Sequence, residues 1–267
     1  MPSITIFSIA TSKYKDYWLQ MFSSACACLD SNMAVKYFVL TDDIKYLKAR
    51  IPIEIAANVS FKEIVHSPWP IPTLLRYKYL NSIAPNLDTE VVMYLDADMK
   101  FYRNINEQDF CTLLNENSIV LFEHPGFYRP QKARLAFFYL KHPQKLLSDI
   151  RLLLFHGGLG SWETNSESKA YVRRSDRTAY VCGGTWFGLR ENVLQMSEIL
   201  AERTQLDIEN GIVAVHNDES HLNWYRSKFQ IEANPPEFCF ELTYANLKGL
   251  RPLILALDKS CGVQIEN

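Results

Sequence analysis

The sequence predicts an α/β protein built on an open, largely parallel sheet with helices on both sides. Three observations lead there. Compact apolar runs recur at Ile4–Ile9, Val35–Leu40, Glu90–Leu95 and Ser118–Glu123. Segments of helical spacing separate the first of them, the order expected of parallel strands joined by crossovers. The composition, 48% hydrophobic and 22% charged over 267 residues, is that of a globular chain with a substantial core.

In order along the chain, Ile4–Ile9 alternates apolar and polar as a first strand, and Lys13–Leu29 is helical with Tyr17, Met21, Ala25 and Cys28 on one face. Val35–Leu40 is a second strand, ended by the turn Thr41-Asp42-Asp43. Ile51–Ile64 mixes short β-like pieces, and Thr73–Ile83 is helical after the stretch Pro68–Pro72. Glu90–Leu95 is a buried-type strand that delivers Asp96 and Asp98 at its carboxyl end. Ser118–Glu123 is another, followed by His124-Pro125-Gly126-Phe127-Tyr128. Leu135–Phe155 reads as an amphipathic helix interrupted at His142-Pro143, and Gly157–Ser168 as a loop. Glu191–Arg203 and Asp218–Lys228 read as helices, the second with Leu222, Tyr225 and Phe229 as its inward stripe. No internal repeat or long linker divides the chain, so one domain is the simplest account.

Charge and cysteine usage exclude several functions. With 28 Lys+Arg against 30 Asp+Glu the net charge is −2, without the basic excess of a dedicated nucleic-acid binder. No apolar run reaches the ~18–20 residues of a transmembrane helix. Met1–Ala10 lacks the charged start and cleavage site of a secretory signal. The six cysteines show no CxxC or other zinc-like spacing, so reduced thiols and a soluble, cytoplasmic protein are expected.

Four constellations carry candidate chemistry. In Tyr94-Leu95-Asp96-Ala97-Asp98-Met99, two acids one residue apart follow an apolar strand, where both can address one hard divalent cation and a diphosphate. The alternative is a solvated turn with incidental acids. His216-Asn217-Asp218-Glu219 opens a helix, where acids also serve simply as caps favoured by the helix dipole. Trp69 and Arg76, seven residues apart, suit a sugar face and a diphosphate, or core packing. Tyr180-Val181-Cys182-Gly183-Gly184-Thr185 pairs glycines between bulky residues, marking close approach to a ligand or a tight strand turn. There is no GxGxxG or P-loop.

Taken together, these segments resemble glycosyltransferase family 6, the family of the histo-blood-group A and B transferases and the α1,3-galactosyltransferases. The matching pieces are Thr5–Tyr14, Tyr37–Asp43, Trp69 through Arg76, Tyr94–Phe101, His124–Tyr128, Tyr180–Gly184 and Asp218–Tyr225, in the family's order. The resemblance implies a single domain of the GT-A type, with a nucleotide-binding part at roughly 1–125 and an acceptor-binding and catalytic part at roughly 126–267. It implies a UDP-sugar donor, Mn²⁺ (or Mg²⁺) held by Asp96 and Asp98, and retaining transfer of GalNAc or Gal to the 3-hydroxyl of a β-galactoside-type glycan. Phe7, Ile9, Tyr14, Trp69, Arg76, Asp96, Asp98, Cys182, Gly183, Gly184, Asp218 and Lys259 would bind the donor. His124, Phe127, His216 and Glu219 would meet the acceptor, and Glu219 would be catalytic. Glycine at the position of Gly184 goes with UDP-GalNAc over UDP-Gal in the family.

The chain departs from the family pattern in four places. His216-Asn217 stands where Trp-His is usual, Arg129–Gly160 is longer than the pattern, Glu163-Thr164-Asn165 stands where an Arg-rich motif is usual, and no Arg follows Lys259. The competing readings are another UDP-sugar transferase of the same fold and a glycan- or nucleotide-binding protein without turnover.

Overall fold

β1 (Ile4–Ile9) is buried on both faces, and the rest of the molecule is arranged about it. The computed structural model of the chain describes residues 3–116, 118–130 and 133–257. After β1 come α1 (Tyr14–Cys28), β2 (Val35–Thr41), α2 (Ile44–Lys48), β3 (Val59–Glu63), α3 (Ile71–Leu74), α4 (Arg76–Asn81), β4 (Val91–Leu95) and β5 (Met99–Phe101). They continue as α5 (Glu107–Glu116), β6 (Ile119–Glu123), α6 (Ala133–Lys141), α7 (Pro143–His156), β7 (Val181–Leu189), α8 (Arg190–Glu209), α9 (Asn217–Phe229), β8 (Ala233–Asn234) and β9 (Ile254–Ala256).

Seven strands form one sheet in the order β3-β2-β1-β4-β7-β6-β8. β1 to β4 are mutually parallel and β8 is parallel to β6, whereas β7 runs antiparallel to both β4 and β6. The result is a mixed, mostly parallel sheet flanked by helices, the architecture expected of a GT-A fold. Strand periodicity divides the core in two. Ile4 and Ile6 of β1 join Val91, Met93 and Leu95 of β4 and Phe187 of β7 in one cluster, with Trp18, Met21 and Phe22 of α1 against it. Phe7, Val92, Tyr94 and Trp186 face the other way, against Tyr77 and Leu80 of α4, Met196 of α8 and Leu222 of α9.

Several elements differ from the sequence expectation. Thr73–Ile83 is not one helix; the backbone breaks at Leu75 (φ −89°, ψ 1°), which makes Arg76 the first residue of α4. Within Ile51–Ile64, Val59–Glu63 is a regular strand. Leu135–Phe155 does divide at His142 as expected, with Pro143 opening α7, where a missing N–H costs nothing. The glycine pair Gly183-Gly184 lies within the nine-residue inner strand Val181–Leu189 rather than in a turn. Phe229 is half exposed, so the inward stripe of α9 is Leu222 and Tyr225. β5, α5 and β9 went unread because their apolar content is short or broken. Among the described residues the cysteines are free thiols, and no helix is long and apolar enough to cross a membrane.

Candidate active site

The carboxyl end of β4 opens into a cleft of about 170 Å³. Its lining brings together Ile9, Tyr14, Trp69, Arg76, Asp96 and Asp98, six of the residues expected to bind the donor. Trp69 stands at the rim, 75% exposed. Phe7 is not on this wall. Its side chain is enclosed in the core, 5.7 Å from the ring of Tyr94, because β1 turns it into the layer beneath the cleft. Lys259 lies outside the described residues. The described chain ends at Leu257, whose N–H donates to the Asp98 carbonyl at 2.9 Å.

Arg76 is the hub. Its guanidinium is buried, yet Nη1 lies 2.7 Å from Asp218 Oδ2 and donates to the Gly183 carbonyl at 2.5 Å. Nη2 donates to Asp96 Oδ1 at 3.0 Å, and the whole group rests over the Tyr94 ring at 4.1 Å. Burial alone would discharge it, but the adjacent acids, Asp218 foremost, hold it firmly protonated. Tyr94 donates its phenol to the same Asp96 Oδ1 at 2.5 Å, and burial keeps that phenol protonated. Asp96 Oδ1 is thus saturated, while Oδ2 takes no hydrogen bond among the described residues. One carboxylate oxygen is spent on the scaffold and the other is left over.

The acids of α9 enter from the opposite side. Asn217 adopts a left-handed conformation (φ 48°) just before them, and His216 at the helix start makes no side-chain cap. Neither acid caps the helix. Asp218 is buried against Arg76, and Glu219 Oε2 accepts the Gly183 N–H at 2.8 Å. Burial pushes the Asp218 carboxyl up to about 7, helped by Asp96 and Glu219 and opposed by Arg76. Gly183 therefore serves both partners, its carbonyl holding Arg76 and its N–H holding Glu219.

Both glycines are required by crowding. A β-carbon on Gly183 would lie 3.1 Å from Glu219 Cβ and 3.4 Å from Asp218 Oδ2. One on Gly184 would lie 3.0 Å from Asp96 Oδ2 and 3.1 Å from Met99 Cε. The space beside Gly184 is thus taken by the Asp96 carboxylate and Met99, so an alanine there disturbs Asp96 directly, whichever donor is bound. Cys182 Sγ accepts the Gly184 N–H at 3.4 Å.

The residues expected at the acceptor divide. The rings of His124 and Phe127 lie 5.1 Å apart at a tilt of 47°, and both pack edge-on against Tyr180, which stands beside Glu219. Burial lowers the His124 pKa, and its Nδ1 accepts the Gly126 N–H at 3.1 Å, so in the neutral ring the proton sits on Nε2. His216 is exposed at the start of α9, its backbone N–H donating to Ser220 Oγ. The sequence reading missed Tyr94 and Tyr180 as site residues, since a tyrosine inside an apolar strand motif reads as core. A second pocket of about 260 Å³ adjoins this side, lined by Glu123, Phe127, Arg129, Leu153, Arg177 and Tyr180.

Relatives of the chain are glycosyltransferases. It is 24% identical over 223 residues to the O-antigen biosynthesis glycosyltransferase WbnI of Escherichia coli, covering 83% of this chain and 81% of the relative. It is 23% identical over 228 residues to globoside α-1,3-N-acetylgalactosaminyltransferase 1 of Gallus gallus, covering 83% of this chain. It is 26% identical over 163 residues to histo-blood group ABO system transferase 1 of Rattus norvegicus, covering 60% of this chain. The matches span 56% and 38% of those two vertebrate proteins. No family model matches the chain. The homology and the sheet agree on a glycosyltransferase.

Glu123, at the end of β6, tests the electrostatics of the second pocket. Burial pushes its carboxyl from the ordinary 4.5 up to about 7, against the pull of Arg226. A raised folded pKa means that its stabilising share is complete below about pH 4.5 and is lost as pH rises through about 7. Glu123→Gln should therefore resist that loss, gaining roughly 2–3 kcal/mol on wild type at pH 8 relative to pH 5 in urea melts. Equal pH dependence of the two proteins would refute the shift.

Proposed function

We propose that the chain is a retaining, metal-dependent glycosyltransferase that moves GalNAc (or Gal) from a UDP-sugar to the 3-hydroxyl of a β-galactoside-type glycan, forming an α1,3 linkage. The observation that carries this reading is the single network around Arg76, which joins the carboxylate of Asp96 in the cleft to Asp218 on α9, with Glu219 anchored on the same Gly183. The motifs shared with family 6 support the same assignment. The chicken relative's name includes α-1,3-N-acetylgalactosaminyltransferase, which supports the donor and linkage.

In this reading residues 1–125 mainly hold the donor, and residues 126–267 supply the acceptor side and the catalytic acid. Uracil would lie against Ile9 and Tyr14 at the end of β1, and Trp69 would cover the rim. The donor set fits a hard divalent cation. Asp96 keeps Oδ2 unspent and Asp98 lines the same cleft, while no cluster of three or more protein ligands occurs among the described residues, leaving positions for diphosphate oxygens and water. Asp96 and Asp98 would hold Mn²⁺ (or Mg²⁺), which when bound neutralises the charge of the leaving diphosphate.

What the chain's own residues do follows from their anchoring. Arg76 adds fixed positive charge to the donor side and holds Asp96 in place. Glu219, tethered by Gly183, sets a negative charge at a fixed position for the oxocarbenium-like centre that develops as the sugar leaves UDP. Asp218, balanced by Arg76, would contact the donor sugar. His124 and Phe127 would meet the acceptor next to Tyr180.

Three outcomes test the proposal. Asp96→Asn with Asp98→Asn should sharply reduce UDP release in a protein that still folds, at a lowered melting temperature because Arg76 loses a charged partner, and excess EDTA should stop UDP release by the wild type; full activity in EDTA would overturn the metal assignment. Glu219→Gln should lower kcat on the order of 10²–10³ with little change in UDP affinity, as for one lost preorganised electrostatic group; near wild-type kcat would return Glu219 to a structural role. For the donor, wild-type kcat/KM should favour UDP-GalNAc over UDP-Gal, and a ten-fold preference for UDP-Gal (about 1.4 kcal/mol) would reverse the assignment. The donor test uses the wild type because a β-carbon on Gly184 meets Asp96.

A further inference from the structure

The helix pair that follows the His124–Tyr128 turn exposes an apolar surface that no other described element covers. On α7, Leu147, Ile150, Leu153 and Leu154 are 70%, 43%, 52% and 65% exposed and fall at helical spacing on one arc. Phe155 beside them and Phe137 and Leu140 on α6 are also exposed. Single exposed apolar side chains are ordinary, but a cluster of this size marks an interaction surface.

The charge on the pair is one-sided. Residues 129–156 contain six Lys or Arg and a single acid, Asp149, in a chain whose net charge is −2. Asp149 does not reach the surface. It is buried in a two-point ion pair with Arg129 (2.5 and 2.7 Å) and accepts the Tyr139 phenol at 2.8 Å. The charged side chains that α6 and α7 turn outward are therefore Arg134, Lys141, Lys145 and Arg151. Lys141 lies over the Phe137 ring at 4.4 Å, so cation and apolar surface are interleaved. α7 is held by the buried Asp149 pair and, at its carboxyl end, by Arg174 and Arg177 donating to the carbonyls of Leu153, Leu154 and His156, contacts that leave its outer apolar arc uncovered.

We propose that α6 and α7 form an interfacial docking surface for an anionic lipid bilayer. The apolar arc would enter the headgroup boundary and the basic rim would meet acidic headgroups, the two terms that bind amphipathic helices to membranes. A second copy of the chain fits less well, because a two-fold contact through this face would set one basic rim against another. Leu153 belongs to this arc and also lines the pocket that holds Phe127 and Tyr180, so the surface adjoins the acceptor side of the cleft. Delivery of the site to a membrane-borne glycan rests on the transferase reading; docking itself does not.

Co-sedimentation of the full chain with phosphatidylglycerol-rich vesicles, against pure phosphatidylcholine vesicles, tests the surface. Binding should be about ten-fold stronger to the anionic vesicles and should weaken as salt rises. Leu147→Ser with Leu154→Ser, and separately Lys141→Glu with Lys145→Glu and Arg151→Glu, should each weaken it about ten-fold or more. Both variants should keep the wild-type melting temperature and the wild-type rate of UDP release with a soluble acceptor, a readout that fails separately if the transferase reading is wrong. The inference is overturned if the wild type does not bind anionic vesicles, if the variants bind as well as it does, or if the face instead mediates a concentration-dependent dimer that the serine variant dissolves.

Discussion

The buried charge of Arg76 is the constraint on which the rest of the site depends. Removing a guanidinium from water costs several kcal/mol unless its donors and its charge are matched. Here the charge and the two terminal nitrogens are matched from three separate places in the chain, namely Asp218 at the start of α9, Asp96 after β4 and the Gly183 carbonyl in β7, while Nε has no hydrogen-bond partner among the described residues. The planar fork of Arg suits such a spread of acceptors, where a lysine would present a single point of charge. Loss of any one acceptor leaves part of that cost uncompensated. The arrangement therefore ties the sheet, α4 and α9 to a single geometry, and the two sides of the cleft cannot move independently without breaking it.

β7 is what lets these pieces meet. Running antiparallel between β4 and β6, it carries Gly183 and Gly184 past the end of β4, where Asp96 N–H donates to the Gly184 carbonyl at 2.9 Å. Alternation then aims the missing β-carbons at opposite neighbours, that of Gly183 at Asp218 and Glu219 and that of Gly184 at Asp96 and Met99. The absence of side chains is what brings backbone within hydrogen-bond reach of both acid groups. A third glycine, Gly188, serves only packing, since a β-carbon there would meet the Ser118 carbonyl at 2.5 Å.

Much of this was legible in the sequence, and the physical reason is that buried parallel strands announce themselves. β1, β2, β4 and β6 are continuous apolar runs whose bounds were read to within a residue or so, as was α1 with its apolar face. The cleft followed from the rule that such sheets bind ligands beyond their carboxyl ends. Long-range pairings were not legible. Nothing local in Tyr180–Gly188 separates a glycine turn from a central strand, because the choice is made by β4 and β6 on either side. Phe7 was placed with the donor by the family resemblance; it shares a strand face with Ile9 but sits two residues deeper in β1, enclosed beside Tyr94, so that only Ile9 reaches the wall. Nor could the sequence show that Glu219 does not cap its helix, because its carboxylate is held by Gly183, 36 residues away.

The anchoring of the acids also sorts them by task. Asp218 is buried and carries the charge of Arg76, so its first duty is to hold the hub together. Asp96 has one oxygen fixed by Arg76 and Tyr94 and keeps the other unspent at the cleft. Glu219, less buried than Asp218, is tied through Oε2 to a backbone N–H rather than to a cation. That distinction matters chemically. A carboxylate neutralised by an arginine has little field left to offer a developing positive charge, whereas one held by a neutral amide keeps nearly all of its own. Of the two adjacent acids on α9, Asp218 is thus committed to the Arg76 hub, and it is the charge of Glu219 on which the proposed transfer would draw.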